Sequence, residues 1–65
     1  MMYILKFFGR DELEHMTISK NKAVLEMRAM EEIDGKLSFR RDTGKIESIY
    51  CKNDIIGIIG PIEEV

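Results

Sequence analysis

His15 and Cys51 carry the only imidazole and the only thiol of this 65-residue sequence. Either could act as a base or a nucleophile if a second polar group were held against it in a pocket. Glu12 and Glu14 are close to His15 in sequence, but on a strand they would project from the opposite face. Cys51 would need a cation beside its thiol, and the adjacent Lys52 would point away from it on a strand. The pattern therefore predicts a solvent-exposed or edge-strand His15, a buried or half-buried Cys51 and no enzymatic activity.

The sequence also lacks the patterns of metal and cofactor sites. A structural zinc site takes four ligands, which one cysteine and one histidine cannot supply, and Asp34 and Asp42 do not have the spacing of a calcium loop. Gly57 and Gly60 lie in or at the end of an apolar strand with no helix after it, which is not the geometry of a phosphate loop. We expect these glycines to mark a close backbone approach, a bulge or a flat packing patch, and we expect no cofactor.

A cluster of basic residues is a candidate binding surface. Residues 36–52 carry five basic side chains against two acidic ones, a net charge of +3, in a chain of net charge −2. Basic groups beside aromatic rings bind single-stranded nucleic acid. The candidate contacts are Lys36, Arg40, Arg41 and Lys45. Nucleic-acid binding is the alternative interpretation and not the leading one, because Phe39 and Tyr50 are predicted to lie on an apolar core face.

The elements that would position these groups are strands and one helix. Residues 3–8 form a predicted strand with apolar side chains on both faces, and Gly9-Arg10-Asp11 is a turn signal. Residues 12–17 alternate weakly, so the predicted number of strands is four or five. Ser19 is the predicted N-cap of a helix that runs from about residue 20 to residue 32 or 33 and is followed by Asp34-Gly35.

Residues 36–42 and 45–51 are predicted to form a hairpin around a two-residue Thr43-Gly44 loop. That register places Asp42 opposite Lys45 and Arg40 opposite Glu47, which are two pairs of opposite charge. The other face then carries apolar side chains and is predicted to be the core face: Leu37, Phe39, Ile46 and Tyr50.

Residues 55–59, Ile-Ile-Gly-Ile-Ile, are predicted to form a strand that Gly60-Pro61 ends, with a frayed acidic tail at 62–65. Strict alternation puts Ile55 and Ile59 on one face, and Ile56 and Ile58 on the other. A strand that is apolar on both faces needs cover on both, so we expect a central position in the sheet.

The predicted order β-β-α-β-β-β indicates one small α+β domain, residues 1–65, with one helix packed on one face of an antiparallel sheet of four to five strands. The helix has two apolar bands, Ala23-Val24-Met27-Met30 and Leu25-Ala29-Ile33, and we expect one of them to pack on the sheet. A chain this short cannot cover all of its apolar surface. The candidate self-association or partner surface consists of Ile4, Phe8, Ile56, Ile58, Leu25 and Ala29.

A two-fold dimer is the most common way for such a chain to bury the remainder. The sequence shows no basic leader with a cleavage site and no apolar run of about 20 residues that would span a membrane. A lone cysteine is typical of a reducing compartment. These features predict a cytoplasmic homo-oligomer that does not associate with membranes.

Three stretches carry a resemblance in layout and residue usage. They are the opening Met-Tyr-Ile-Leu-Lys-Phe-Phe, the helix start Thr-Ile-Ser-Lys-Asn-Lys-Ala-Val-Leu, and the last strand Asn-Asp-Ile-Ile-Gly-Ile-Ile-Gly. The layout resembles that of small proteins encoded by phages and prophages of Gram-positive bacteria. The resemblance implies a protein that works by binding, often by blocking a host or defence protein. The leading prediction is therefore a non-enzymatic interaction protein that self-associates and binds or inhibits a host protein.

Overall fold

The computed structural model describes residues 1–9 and 17–64. Their elements, in chain order, are β1 (Tyr3–Phe7), β2 (Thr17–Ser19), α1 (Lys22–Glu32), β3 (Leu37–Thr43), β4 (Ile46–Cys51), β5 (Asp54–Pro61) and a short 3-10 helix (Ile62–Glu64). The five strands form one antiparallel sheet in the order β2-β1-β5-β4-β3. The helix α1 packs on one face, mainly against β1, β2 and β5. The predicted α+β class, with one helix on an antiparallel sheet, is confirmed.

The central position expected for the isoleucine-rich strand is confirmed, because β5 lies between β1 and β4. The core forms where β1, β4 and β5 meet α1, and it consists of the buried residues Leu5, Phe7, Leu25, Ala29, Ile49 and Ile59. Leu25 and Ala29 are fully buried. The prediction that they belong to a partner surface is therefore wrong: their band is the one that packs on the sheet.

The helix begins two residues later than predicted. Asn21, not Ser19, is the N-cap, and its Oδ1 accepts a hydrogen bond from the backbone N–H of Ala23 at 3.0 Å. The Ser19 hydroxyl accepts instead from the N–H of Asn21 at 3.0 Å and so shapes the turn before the helix. At the other end the N–H of Ile33 donates to the carbonyl of Ala29. With eleven residues, α1 is too short and too polar to cross a membrane, and it is the single α-helix of the described part of the chain.

The hairpin register differs from the predicted one. Arg41, not Arg40, lies opposite Glu47, and Thr43 lies opposite Ile46 across a bulge at Asp42. The turn is Gly44-Lys45, where Gly44 has a positive φ of 57°. The observed register is more stable than the predicted one because it buries Ile49 opposite Phe39, which is worth about 2 kcal/mol. The surface ion pairs of the predicted register contribute only a few tenths of a kcal/mol each.

A one-residue slip exchanges the two faces of a strand. Phe39 and Leu37 pack against the core as predicted. Ile46 and Tyr50, which were also predicted for the core face, alternate with Glu47 and Ile49 and therefore lie on the face opposite α1.

A second bulge, at Ile56, corrects the face assignment in β5. Ile49 pairs with Gly57 and Tyr50 pairs with Ile55, so Ile56 is the extra residue. Its side chain packs against the core, and it is therefore not part of a partner surface with Ile58. Gly57 confirms the predicted close approach, since a Cβ there would overlap the carbonyl oxygen of Lys6.

Two further predictions concern residues 12–17 and the C-terminal tail. Of the weak strand at residues 12–17, only Thr17 is described, and it begins β2; His15 lies outside the described residues. The tail that was predicted to fray begins with the 3-10 helix Ile62–Glu64, which is tied down because the N–H of Ile62 donates to the carbonyl of Met2 at 3.0 Å.

Candidate functional site

Glu47 is a carboxylate buried between the sheet and α1. It lies two residues from Ile49 on β4, so its side chain points to the face on which α1 packs. The side chain is 10% exposed. The helix presents Lys22 and Glu26 to it, four residues apart on the same side as buried Leu25. Lys22 Nζ lies 3.5 Å from Glu47 Oε1, so one side of the carboxylate has a charged partner.

Glu26 and Glu47 form a carboxyl pair in which the pKa of Glu26 is raised toward neutral pH. Glu47 Oε2 is buried, and no N–H or hydroxyl of the described residues donates to it. A hydrogen bond to Glu47, partial burial and the negative charge of Glu47 together raise the pKa of Glu26 from 4.5 to about 7, against the opposing charge of Lys22. A protonated Glu26 can therefore donate to the side of Glu47 that Lys22 leaves open.

Lys22 also lines a cavity of about 290 Å³ between the start of α1 and the turn of the β3–β4 hairpin. We call it the junction cavity; it is lined by Met1, Tyr3, Lys22, Arg41, Gly44 and Lys45. Three of these residues are cations, and they come from three different elements of the fold. The junction cavity is therefore a concave, positively charged site built between a helix and a sheet.

The outer side of α1 carries an exposed apolar ridge. Val24, Met27 and Met30 are 40%, 59% and 51% exposed. Their spacing of three residues places them within about 120° of the helix circumference. We call these three residues the α1 ridge. It belongs to the first of the two predicted apolar bands, the one that does not pack on the sheet.

The charges on α1 run against the direction of its macrodipole. The first turn holds no acidic residue and the last turn no basic one. Instead Lys20 and Lys22 stand at the start, and Glu31, Glu32 and Asp34 stand at the end. Cations near a helix N-terminus and carboxylates near its C-terminus each cost a few tenths of a kcal/mol. The arrangement lowers the stability of α1 in isolation.

The sheet residues of the predicted partner surface do not form one exposed patch. Ile4 is 4% exposed, because β1 lies inside the sheet and places it between Ile18 of β2 and Gly60 of β5. Ile58 is half-buried on the same face. Phe8 is exposed. With Leu25, Ala29 and Ile56 in or against the core, only Phe8 of the six predicted residues is an exposed side chain.

The four predicted nucleic-acid contacts are separated by the corrected register. Arg40 lies on the face opposite α1, with its guanidinium carbon 4.8 Å from the centre of the Tyr50 ring. Arg41 and Lys45 line the junction cavity on the other face. Lys36 lines a second cavity of about 550 Å³ at the far end of the hairpin, together with half-buried Cys51.

Sequence reasoning missed Lys22 and Glu26. Their spacing of four residues, on the side of Leu25 and Ala29, was the available signal. It could not be used because the predicted register turned Glu47 away from the helix. Within residues 1–9 and 17–64, no group of three or more histidine, cysteine, aspartate or glutamate side chains could hold a metal ion.

No family model, no curated protein and no solved structure matches this chain. The resemblance to small phage and prophage proteins stays a prediction.

Proposed function

We propose that this protein works by binding other protein chains and that it forms a two-fold dimer through the α1 ridge. The observation that carries the proposal is the exposure of Val24, Met27 and Met30 together on the outer side of α1. Methionine side chains are flexible and polarizable, and they adapt to an apolar partner surface. The resemblance to phage and prophage proteins adds a host protein as a further partner, bound or inhibited by the protein.

The reversed charges of α1 support a second copy as the occupant of the ridge. When two copies of α1 pack antiparallel about a two-fold axis beside Met27, positions equally far from 27 lie opposite one another. Val24 then packs on Met30 of the other copy. The segment just before one helix, with Lys20, lies at the same end of the pair as the segment just after the other helix, with Asp34. The two macrodipoles also oppose each other, which is favourable. Charges that destabilise one isolated helix therefore stabilise an antiparallel pair.

Pairing through the sheet edge is less favourable. The long edge strand β3 carries exposed Arg40 and Arg41 and a bulge at Asp42. Charged side chains and bulges are features that keep edge strands from pairing with other chains. The helix surface has no comparable protection, so the ridge is the better site for a second copy.

Sedimentation velocity over a range from micromolar to millimolar protein tests the dimer. We expect the wild type to shift from monomer to dimer with concentration, and Met27→Lys to stay monomeric because it places two like charges at the two-fold axis. Ile55→Lys is the matched control, since Ile55 is 45% exposed on β5, away from the ridge. A monomeric wild type throughout, or a Met27→Lys dimer, contradicts the proposal.

A charge exchange tests the antiparallel arrangement itself. Lys20→Glu places a carboxylate at the end of the pair where Asp34 of the other copy lies and should weaken the dimer. Adding Asp34→Lys in the same chain restores opposite charges and should restore the dimer. If the double variant associates no better than Lys20→Glu alone, the two copies do not pack in this orientation.

A second function, nucleic-acid binding, is favoured by the position of Tyr50. The ring lies under the Arg40 guanidinium on the face opposite α1, where an unpaired base could stack. Arg40→Ala should weaken binding of a single-stranded oligonucleotide and reduce its salt dependence. Arg41→Ala, on the other face, is the control. No binding by the wild type at low salt removes this candidate.

A further inference from the structure

The described lining of the junction cavity holds three cations and no carboxylate. The cations are Lys22, Arg41 and Lys45, and Lys22 is paired with Glu47 at 3.5 Å. Glu47 therefore balances one of the three positive charges. Like charges held around one cavity repel, and an anion between them would relieve that repulsion.

The cations are held by separate elements of the fold. Lys22 stands in the first turn of α1, where its ion pair with Glu47 orients the amine. Arg41 lies on β3 opposite Glu47, and its planar guanidinium can donate two parallel hydrogen bonds to one oxyanion. Lys45 follows the tight turn at Gly44. Their spacing is thus set by the helix–sheet packing and by the hairpin turn.

The remaining lining suits a small ligand. Tyr3 also lines the cavity, and a tyrosine hydroxyl can donate a hydrogen bond. A side chain at Gly44 would meet no atom within 4 Å, so the turn backbone is open to approach. The volume is about 290 Å³, compared with about 30 Å³ for each water in the liquid. A phosphate group with several further atoms can enter.

We propose that the junction cavity is a binding site for a small dianion, the phosphate or sulfate group of a low-molecular-weight compound, held by Lys22, Arg41 and Lys45 with Tyr3 as a further donor. The site is separate from the α1 ridge and does not depend on the protein-binding role. Nucleic acid is disfavoured as its ligand because the cations converge on a concave cavity, whereas Arg40 and Tyr50 lie on the other face.

Sulfate is the first probe. Titrating sodium sulfate into uniformly ¹⁵N-labelled protein at constant ionic strength should give saturable shifts of the amides of Lys22, Gly44 and Lys45. Each removed charge-assisted hydrogen bond should weaken binding roughly tenfold, so we expect that loss for Arg41→Gln and for Lys45→Gln. Lys52→Gln, which removes a lysine lining the second cavity, should leave the affinity unchanged.

Sulfate keeps its two charges between about pH 6 and about pH 8, while Glu26 loses its proton near pH 7. The charged groups that act on Glu26 are Glu47 on β4 and Lys22 on α1. Deprotonation adds a negative charge near Lys22, which lines the cavity, so sulfate should bind several-fold more weakly at the higher pH. Glu26→Gln should remove this pH dependence.

Two further titrations identify the source of the dianion. Inorganic phosphate represents a free anion and glycerol 3-phosphate a phosphorylated metabolite. Glycerol 3-phosphate should bind more tightly than inorganic phosphate if the rest of the cavity contributes to binding. A short oligonucleotide that displaces sulfate would assign the cavity to nucleic acid and overturn the proposal. Shifts that never saturate, or an equal loss for Lys52→Gln and Arg41→Gln, would show a general salt effect and also overturn it. If Arg41→Gln fails to fold, Lys45→Gln, in an exposed turn, decides the question.

Discussion

Glu26→Gln should change how the stability of the protein depends on pH. Glu26 has a pKa raised from 4.5 to about 7, chiefly by its hydrogen bond to Glu47. The folded state therefore binds the Glu26 proton more tightly than the unfolded state. The resulting stabilisation is fully present below about pH 4.5 and is lost as the pH rises to about 7. The amide introduced by Glu26→Gln would donate to Glu47 at every pH, so the variant would not show this loss.

The magnitude follows from the pKa after a correction for solvent. A rise from 4.5 to about 7 corresponds to about 3.4 kcal/mol at 1.36 kcal/mol for each pH unit. The Glu26 side chain is half-exposed, and water screens such interactions strongly, so we expect about 1 kcal/mol. For a domain of this size that free energy corresponds to a change of about 4–8 °C in Tm.

The measurement is the free energy of unfolding in urea, or Tm, from about pH 4.5 to about pH 8 for the wild type and for Glu26→Gln. The stability of the variant relative to the wild type should rise by about 1 kcal/mol across this range. Glu63→Gln removes an exposed carboxylate that is not part of the pair and serves as the control. A difference between variant and wild type that stays constant with pH would refute the raised pKa of Glu26.

Two further predictions concern the packing and the cap that hold the site. Gly57→Ala should lower the free energy of unfolding in urea by about 3 kcal/mol, because the new Cβ would overlap the backbone carbonyl of Lys6. Ile55→Ala is the exposed control. If Gly57→Ala costs no more than this control, the close approach is contradicted. Asn21→Ala should cost about 1 kcal/mol by removing the hydrogen bond to the N–H of Ala23, whereas Asn21→Ser, which can still cap, should retain most of the stability.

The elements could be predicted from the sequence because their signals are local. Alternating or continuous apolar residues marked the strands, and the run from Lys22 to Glu32 contains only acceptable helix formers. Apolar character on both faces of residues 55–59 predicted a central strand, and β5 is central. These inferences depend on which residues are apolar and not on which residues of neighbouring strands pair with each other.

The register could not be predicted, because bulges leave no clear mark in the sequence. One bulge at Asp42 and one at Ile56 each add a residue to a strand, and each exchanges the faces of the residues on either side. The predicted register rested on charge pairs that are individually weak. Tyr50 and Ile56 were assigned to the wrong faces for this reason, and Glu47 was turned away from the helix.

The candidate site depends on the strand register, so it could not be predicted from the wrong register. Lys22, Glu26 and Glu47 meet only when Glu47 points toward α1, and the predicted pairing of Glu47 with Arg40 excluded this. The basic residues of the hairpin were recognised as a group, but their division between two faces was not. Side-chain direction along a strand is the information that the sequence did not supply.

The two proposed sites lie on different sides of the same helix, and this makes them separable. Lys22 and Met27 are five residues apart, about 140° around the helix axis, and buried Leu25 and Ala29 fix the rotation of α1 on the sheet. A second copy on the α1 ridge would therefore leave the junction cavity open. Met27→Lys should abolish the dimer without changing sulfate affinity, and Arg41→Gln should weaken sulfate binding without changing the dimer. A variant that impaired both would mean that the packing of α1 had been disturbed rather than either surface.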